Sequence, residues 1–170
     1  MNLHSAAPRP RDLKDPQVLV ATGFGIGLVP WAPGTWASLA ALPAAWAIVE
    51  LAGPVGLATA AVVACVVGMW AAESCVQRGG DKDPQSIVID EIAGQWLVLL
   101  AVPLDPMLYG IGFVLFRAAD IWKPWPVSWA DKSVGGGFGV MLDDVLAAIY
   151  AGLALYGISY LIGGPFGGPG

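Results

Sequence analysis

The chain has 170 residues, enough for one ordinary domain and not demanding two. Apolar residues of the AVILMFWYC types make up 56% of it and charged residues only 12%, about half the usual share. Eight Lys and Arg against thirteen Asp and Glu leave a net charge of −5. Together these values disfavour a soluble globular domain, intrinsic disorder and a nucleic-acid binder, and leave a multi-pass membrane protein.

In chain order, residues 1–21 read as a cytoplasmic N-terminal tail carrying Arg9, Arg11 and Lys14, with no cleaved signal and no lipidation motif. Residues 22–162 read as a single helical membrane domain. Within it Trp36 to Leu51 and Val55 to Ala72 are apolar runs separated by Ala52-Gly53-Pro54, which predicts a helical hairpin. Ile87 to Phe116 is interrupted by Pro103-Leu104-Asp105-Pro106 and predicts a second hairpin. Val145 to Ile162 is long enough to cross once. The Gly- and Pro-rich residues 163–170 are expected to be a flexible tail. The fold expected is all-α: about five embedded helices, in two hairpins plus a C-terminal helix.

All eight basic residues fall in three segments: the N-terminal tail, the connection with Arg78 and Lys82, and Arg117 to Lys132. The two turns between hairpin arms hold none, so the positive-inside rule places the open ends in the cytoplasm and the C-terminus outside. Trp31, Trp36, Trp96, Trp122, Trp125 and Trp129 lie near those same ends, as interfacial anchors do; Trp46 and Trp70 do not. Cys65 and Cys75 read as small core residues, with no disulfide framework.

Four polar segments fall on the cytoplasmic side. Thr22 to Gly27 leads to Ala32-Pro33-Gly34-Thr35-Trp36-Ala37-Ser38, where a helix opening with Thr35 or Ser38 could turn amide N–H groups towards an anion; a flexible loop with an ordinary helix cap is the alternative. It is neither a Walker loop nor a dinucleotide fingerprint. Asp83 to Gln95 carries Asp90 and Glu91 at the start of an apolar helix, where paired acids are costly beside lipid and point to a functional site; stabilisation of the helix N-terminus by negative charge is the alternative, and it explains one acid better than two. Asp90 shares a helix face with Gly94, and Glu91 with Gln95. Phe116 to Pro126 carries Arg117, Asp120 and Lys123, read either as a structural ion pair or as cations for a phosphate. Gly135 to Asp144 precedes the last helix; one of Asp143 and Asp144 can be its cap and the other needs a different role. Neighbouring acids repel unless something positive lies between them. Carboxylates without His or Cys suit a hard ion such as Mg²⁺, and the chemistry expected is metal-assisted phosphoryl transfer.

Other phosphatase chemistries fail on inventory. There is no Cys-x5-Arg loop. The single histidine, His4, lies in the tail, and Asp81-Lys82-Asp83 does not follow an apolar strand.

The blocks Gly-x-Gly with Ala-Pro-Gly-Thr at 32–35, Ile-Val-Ile-Asp-Glu at 87–91, Phe-Arg-x-x-Asp-x-x-Lys-Pro-Trp-Pro at 116–126 and Gly-x-Met-x-Asp-Asp at 139–144 stand in one order. From about Thr22 to Ala151 the chain thereby resembles the bacterial phosphatidylglycerophosphatase A family. Ala37 and Ala148 depart from it where glycine is common, a change of packing and not of chemistry. The resemblance implies a multi-pass protein of the bacterial inner membrane with its active site on the cytoplasmic face. It also implies Mg²⁺-dependent hydrolysis of phosphatidylglycerophosphate to phosphatidylglycerol and inorganic phosphate, in phospholipid biosynthesis. Asp90, Glu91, Asp143 and Asp144 are then metal and catalytic carboxylates, and Arg117 and Lys123 hold the substrate phosphates. Asp120 orients or ligates, while Gly34, Thr35 and Ser38 line the phosphate pocket. Attack by water and an aspartyl-phosphate intermediate both stay open. The partners expected are the lipid substrate and the bilayer, with no nucleic acid and no protein partner implied. An ion-coupled transporter is the competing class, but it predicts acids near the midplane and an internal repeat, neither of which is present.

Overall fold

In the computed structural model, residues 10–79 and 85–162 are described, and Asp83 and the tail 163–170 lie outside them. Among the described residues every regular element is helical. After a 3₁₀ turn at Pro10–Lys14, α1 runs over Pro16–Ala21, with a second 3₁₀ turn at Ile26–Leu28. The others are α2 (Pro33–Gly79), α3 (Ile89–Leu99), α4 (Pro106–Trp122), α5 (Val127–Ser133) and α6 (Gly136–Ile162).

The expected hairpins are present. Helix α2 is two arms, residues 33–52 and 54–79, joined at Gly53, whose φ of 67° and ψ of −176° are non-helical. A residue with a Cβ is strained at that φ, and Pro54 suits the first position of the second arm. Asp105 closes the other turn: its Oδ1 accepts from Leu108 N–H at 2.8 Å, with Pro106 at the first helical position. At the far end of the bundle Ala45, Leu57, Leu99 and Tyr109 form one cluster, with Trp46 edge-on to Tyr109 at 5.3 Å. Both turns therefore lie opposite the polar end.

Two boundaries differ from expectation. Helix α6 begins at Gly136, so Asp143 and Asp144 sit two turns inside it and neither caps it. The cap comes from another helix: Glu73 Oε2 accepts from Gly137 N–H at 2.6 Å. Helix α3 has only 11 residues, roughly 16 Å of rise against ~30 Å of hydrocarbon, too short to cross a membrane.

The packing is that of a membrane bundle. Its interior is rich in small side chains such as Ala37, Ala41, Ala61, Ala71, Ala93, Ala147 and Ala151, which let backbones approach closely. A Cβ on Gly94 would stand 2.6 Å from Phe116 Cζ, which shows how tightly α3 and α4 meet. Large apolar side chains face outward, among them Leu51 at 88%, Val55 at 78% and Leu161 at 85% exposure. Two helices, Pro33–Arg78 and Gly136–Ile162, are long and apolar enough to cross a membrane, and only 28% of each one's apolar window is buried, unlike a core helix of a soluble protein.

Segment Pro16–Ala21 packs on α2, with Val18 and Ala21 buried against Ala71, Ala72 and Cys75. Arg78 pairs with Asp15, the cap of α1, and Arg78 Nη2 and Ser74 Oγ both donate to Gln17 Oε1. The Arg78 guanidinium, with the Gln17 N–H, holds the half-buried Asp15 carboxyl below its usual pKa.

Candidate active site

The start of α2, the end of its second arm, the start of α3, the end of α4 and the start of α6 meet at one end of the bundle. There a ligand oxygen each from Asp90, Glu91 and Asp144 all lie within 4.8 Å of one another. Asp90 is 7% and Asp144 3% exposed. Glu91 Oε2 and Asp144 Oδ2 are buried without a hydrogen-bond partner among the described residues. Three acids from two helices are thus gathered in a poorly solvated space, an arrangement that repulsion would open if no positive charge joined them.

Arg117, near the end of α4, stands at the edge of this group. Its Nη1 is 2.5 Å from Asp120 Oδ2 and 3.6 Å from Glu91 Oε1. Nη1 is thus engaged in an ion pair, while Nε is buried with no hydrogen-bond partner among the described residues and keeps its donor capacity. Asp120 also faces Asp144.

Gly34 brings the first block to the centre. A Cβ there would overlap Glu91 Oε1 and come within 3.3 Å of Arg117 Nη1, so the carboxylate occupies the space that a side chain would need. Thr35 is half-buried in the first turn of α2. Ser38 lies deeper, fully buried, with its hydroxyl donating to Gly34 O at 2.9 Å. Neither Thr35 nor Ser38 caps the helix, which already begins at Pro33. The loop around Gly23 to Gly27 leans on the entrance of α3: Val88 N–H donates to Ala21 O at 2.8 Å, and a Cβ on Gly27 would overlap Ser86 O.

Asp143 and Lys123 form a separate arrangement. Lys123, in the left-handed conformation that ends α4, places Nζ 2.7 Å from Asp143 Oδ2 and 2.6 Å from Asp131 Oδ1. Asp143 Oδ1 accepts from Asp144 N–H at 3.1 Å. Asp143 is therefore held by the ammonium and lies outside the compact trio. Burial works against the Lys123 charge and the two carboxylates outweigh it, so its pKa stands above the ordinary lysine value. With a raised pKa, its contribution to stability is complete below the unfolded-state value near 10.4 and fades only as pH climbs through the higher folded one. Throughout the neutral range it is constant. Lys123→Met should lower stability by roughly 1–3 kcal/mol, less than for a fully buried pair because the lysine side chain is 26% exposed. The check is the unfolding midpoint in detergent at neutral and mildly alkaline pH, with the same loss at both.

Sequence reasoning missed two contributors. Asp131 belongs to no motif and meets Lys123 only because α5 folds back. Glu73, an acid late in an apolar helix, is a signal that could have been followed.

An all-α bundle with an apolar exterior and a buried oxygen-only acidic group at one end defines a class, the helical membrane proteins with an embedded acidic centre. The profile of the family described as Phosphatidylglycerophosphatase A matches residues 19–159. Phosphatidylglycerophosphatase A of Escherichia coli (strain K12) is 38% identical over 152 residues, covering 89% of this chain and 86% of its own length. The protein of the same name from Haemophilus influenzae is 39% identical over 149 residues, covering 87% and 91%. A Bacteroides thetaiotaomicron protein, provisionally named a phosphatidylinositol-3-phosphatase, is 40% identical over 153 residues, covering 86% and 95%. No solved structure matches the chain. The chain belongs to the phosphatidylglycerophosphatase A family and is by that membership a phosphatase.

Proposed function

We propose that this chain hydrolyses the terminal phosphate of phosphatidylglycerophosphate in a Mg²⁺-dependent reaction, at the cytoplasmic face of a bacterial inner membrane. Family membership supports the substrate. The observation that carries the chemistry is the trio Asp90, Glu91 and Asp144 within 4.8 Å, beside an arginine with a donor to spare. The donor set fits a hard divalent ion: all oxygen, with Glu91 Oε2 and Asp144 Oδ2 buried and unpartnered. Those three carboxylates would hold it. When bound, Mg²⁺ supplies neutralisation of the phosphoryl oxygens and polarises the phosphorus–oxygen bonds.

Everything else falls to the protein. Arg117 Nε donates to a non-bridging phosphate oxygen, and Asp120 keeps the guanidinium facing the centre. A trio oxygen that does not hold the ion accepts the proton of the attacking water as the water oxygen bonds to phosphorus. The ester bond to the glycerol oxygen breaks, and that oxygen takes up a proton to leave as the hydroxyl of phosphatidylglycerol. Lys123, engaged by Asp131 and Asp143, fixes the approach of α4 to α6 and keeps a positive charge at the rim. Arg78, Lys123 and Lys132 stand at the same end as the acids, which supports a cytoplasmic active site.

The test is release of inorganic phosphate by the purified chain in mixed micelles. Phosphatidylglycerophosphate should be hydrolysed with Mg²⁺, not with a chelator, and again when Mg²⁺ is restored. Phosphatidylinositol 3-phosphate should be the poorer substrate. Hydrolysis indifferent to chelation would overturn the ion; preference for the inositol lipid would overturn the substrate.

A further inference from the structure

Gln95 is fully buried on α3, and neither its Nε2 nor its Oε1 has a hydrogen-bond partner among the described residues. An unsatisfied buried polar group costs about 1–3 kcal/mol, so an amide at this depth calls for a reason. Its surroundings supply one. Gln95 stands one turn beyond Glu91 on the same helix face. Helical side chains slant back towards the N-terminus, which carries the Gln95 amide towards the turn that holds Glu91. Glu91 Oε2 is itself buried and unpartnered, while the space beside Oε1 is closed by Gly34 and Arg117.

The neighbouring helix matches this tier. Ser38 is one turn beyond Gly34 on α2, fully buried, and its proton is committed to Gly34 O, so its hydroxyl has acceptor capacity left. Trp96 Nε1 donates to Ala41 O at 3.0 Å and locks the first arm of α2 beside α3. Ser38 and Gln95 thus both lie a turn below the contact of Gly34 with Glu91.

We propose that Gln95 is a positioning residue for the acidic centre, holding Glu91 in its orientation towards Asp90 and Asp144 through one bridging water. That water accepts from Gln95 Nε2 and donates to Glu91 Oε2 and to Ser38 Oγ, the roughly three bonds that a buried water makes. Groups of this kind, one layer behind the ligands, fix the direction of a ligand's lone pairs. The inference rests on the reading of the acidic centre as a divalent-cation site.

The test uses the full-length chain in detergent, titrated with Mn²⁺ and followed by the electron paramagnetic resonance signal of the free ion, beside a thermal melt. Gln95→Met keeps the shape and removes both polar atoms. Mn²⁺ affinity should fall by about 10–100-fold. The melting temperature should stay the same or rise, because Gln95 Oε1, which the water leaves unpartnered, has gone. Turnover of the lipid at limiting Mn²⁺ should fall with affinity, while KM for the lipid holds. Unchanged Mn²⁺ affinity in the variant overturns the inference and leaves the cation site standing. A melting temperature that drops along with affinity overturns it too, since the residue would then be a packing element. Failure of the unaltered chain to bind Mn²⁺ overturns the cation reading itself. If Gln95→Met does not accumulate, Gln95→Leu enters the same comparison, and failure of both to fold assigns Gln95 to the fold and ends the proposal.

Discussion

Asp144→Asn should reduce phosphate release by on the order of 10²–10⁴-fold, the range for removing a group that acts on the reacting atoms. The side chain keeps its volume and stays buried on α6, so the bundle should fold as before. Its unpartnered Oδ2, however, loses the negative charge that faces Asp90 and Glu91. Asp90→Asn should behave alike, and the double variant should lose little more than either alone, because residues that act as one unit are not additive. Asp143→Asn should differ in kind: its partner is Lys123, so stability should fall more than turnover. Assaying the four variants and the unaltered chain side by side on one lipid, with melting curves, checks the assignment. Equal turnover in Asp144→Asn and the unaltered chain would show that the trio is not the reaction centre.

Gly34→Ala is the second large effect, and it comes from a residue with no side chain. The added methyl would claim the place of Glu91 Oε1 and press on Arg117. Overpacking of this kind costs about 1–3 kcal/mol of stability. A displacement of about 1 Å in a catalytic group costs as much as 10²-fold in rate. Activity should therefore fall far more steeply than the melting temperature, with Mn²⁺ affinity falling beside it. Gly112→Ala, whose added Cβ would stand 3.0 Å from Leu155 Cδ2 and meet only apolar side chains, is the control that disturbs packing without touching a residue of the trio.

Much of the architecture was legible in the chain. Ala52-Gly53-Pro54 and Pro103 to Pro106 mark the turns because glycine and proline act locally, and each turn formed where expected. The convergence of four polar blocks on one end follows from those turns and from the placement of the basic residues. The phase of α6 was not legible. Asp143 and Asp144 are neighbours in sequence, yet successive residues on a helix point about 100° apart, so one reaches Glu91 while the other reaches Lys123. Reading that phase requires the helix start, and Gly135 to Gly139 reads as a loop because glycine is a poor helix former. Contacts override that preference: a Cβ on Gly137 would collide with Met69 O and Glu73, so small residues are what allow α6 to lie against α2. Asp131 was invisible for a plainer reason, since only the return of α5 brings it to Lys123.

The brevity of α3 bears on how the protein reaches its membrane. A stretch of 11 helical residues opening on two acids, followed by irregular backbone before Pro106, gains little from lipid by itself, where open peptide groups find no partner. Val102 and Leu104 are instead sheltered among protein side chains. Residues 89–99 therefore depend on protein walls on both sides, which α2 and α6 supply, and the order of assembly this predicts is the long helices first and this hairpin after them.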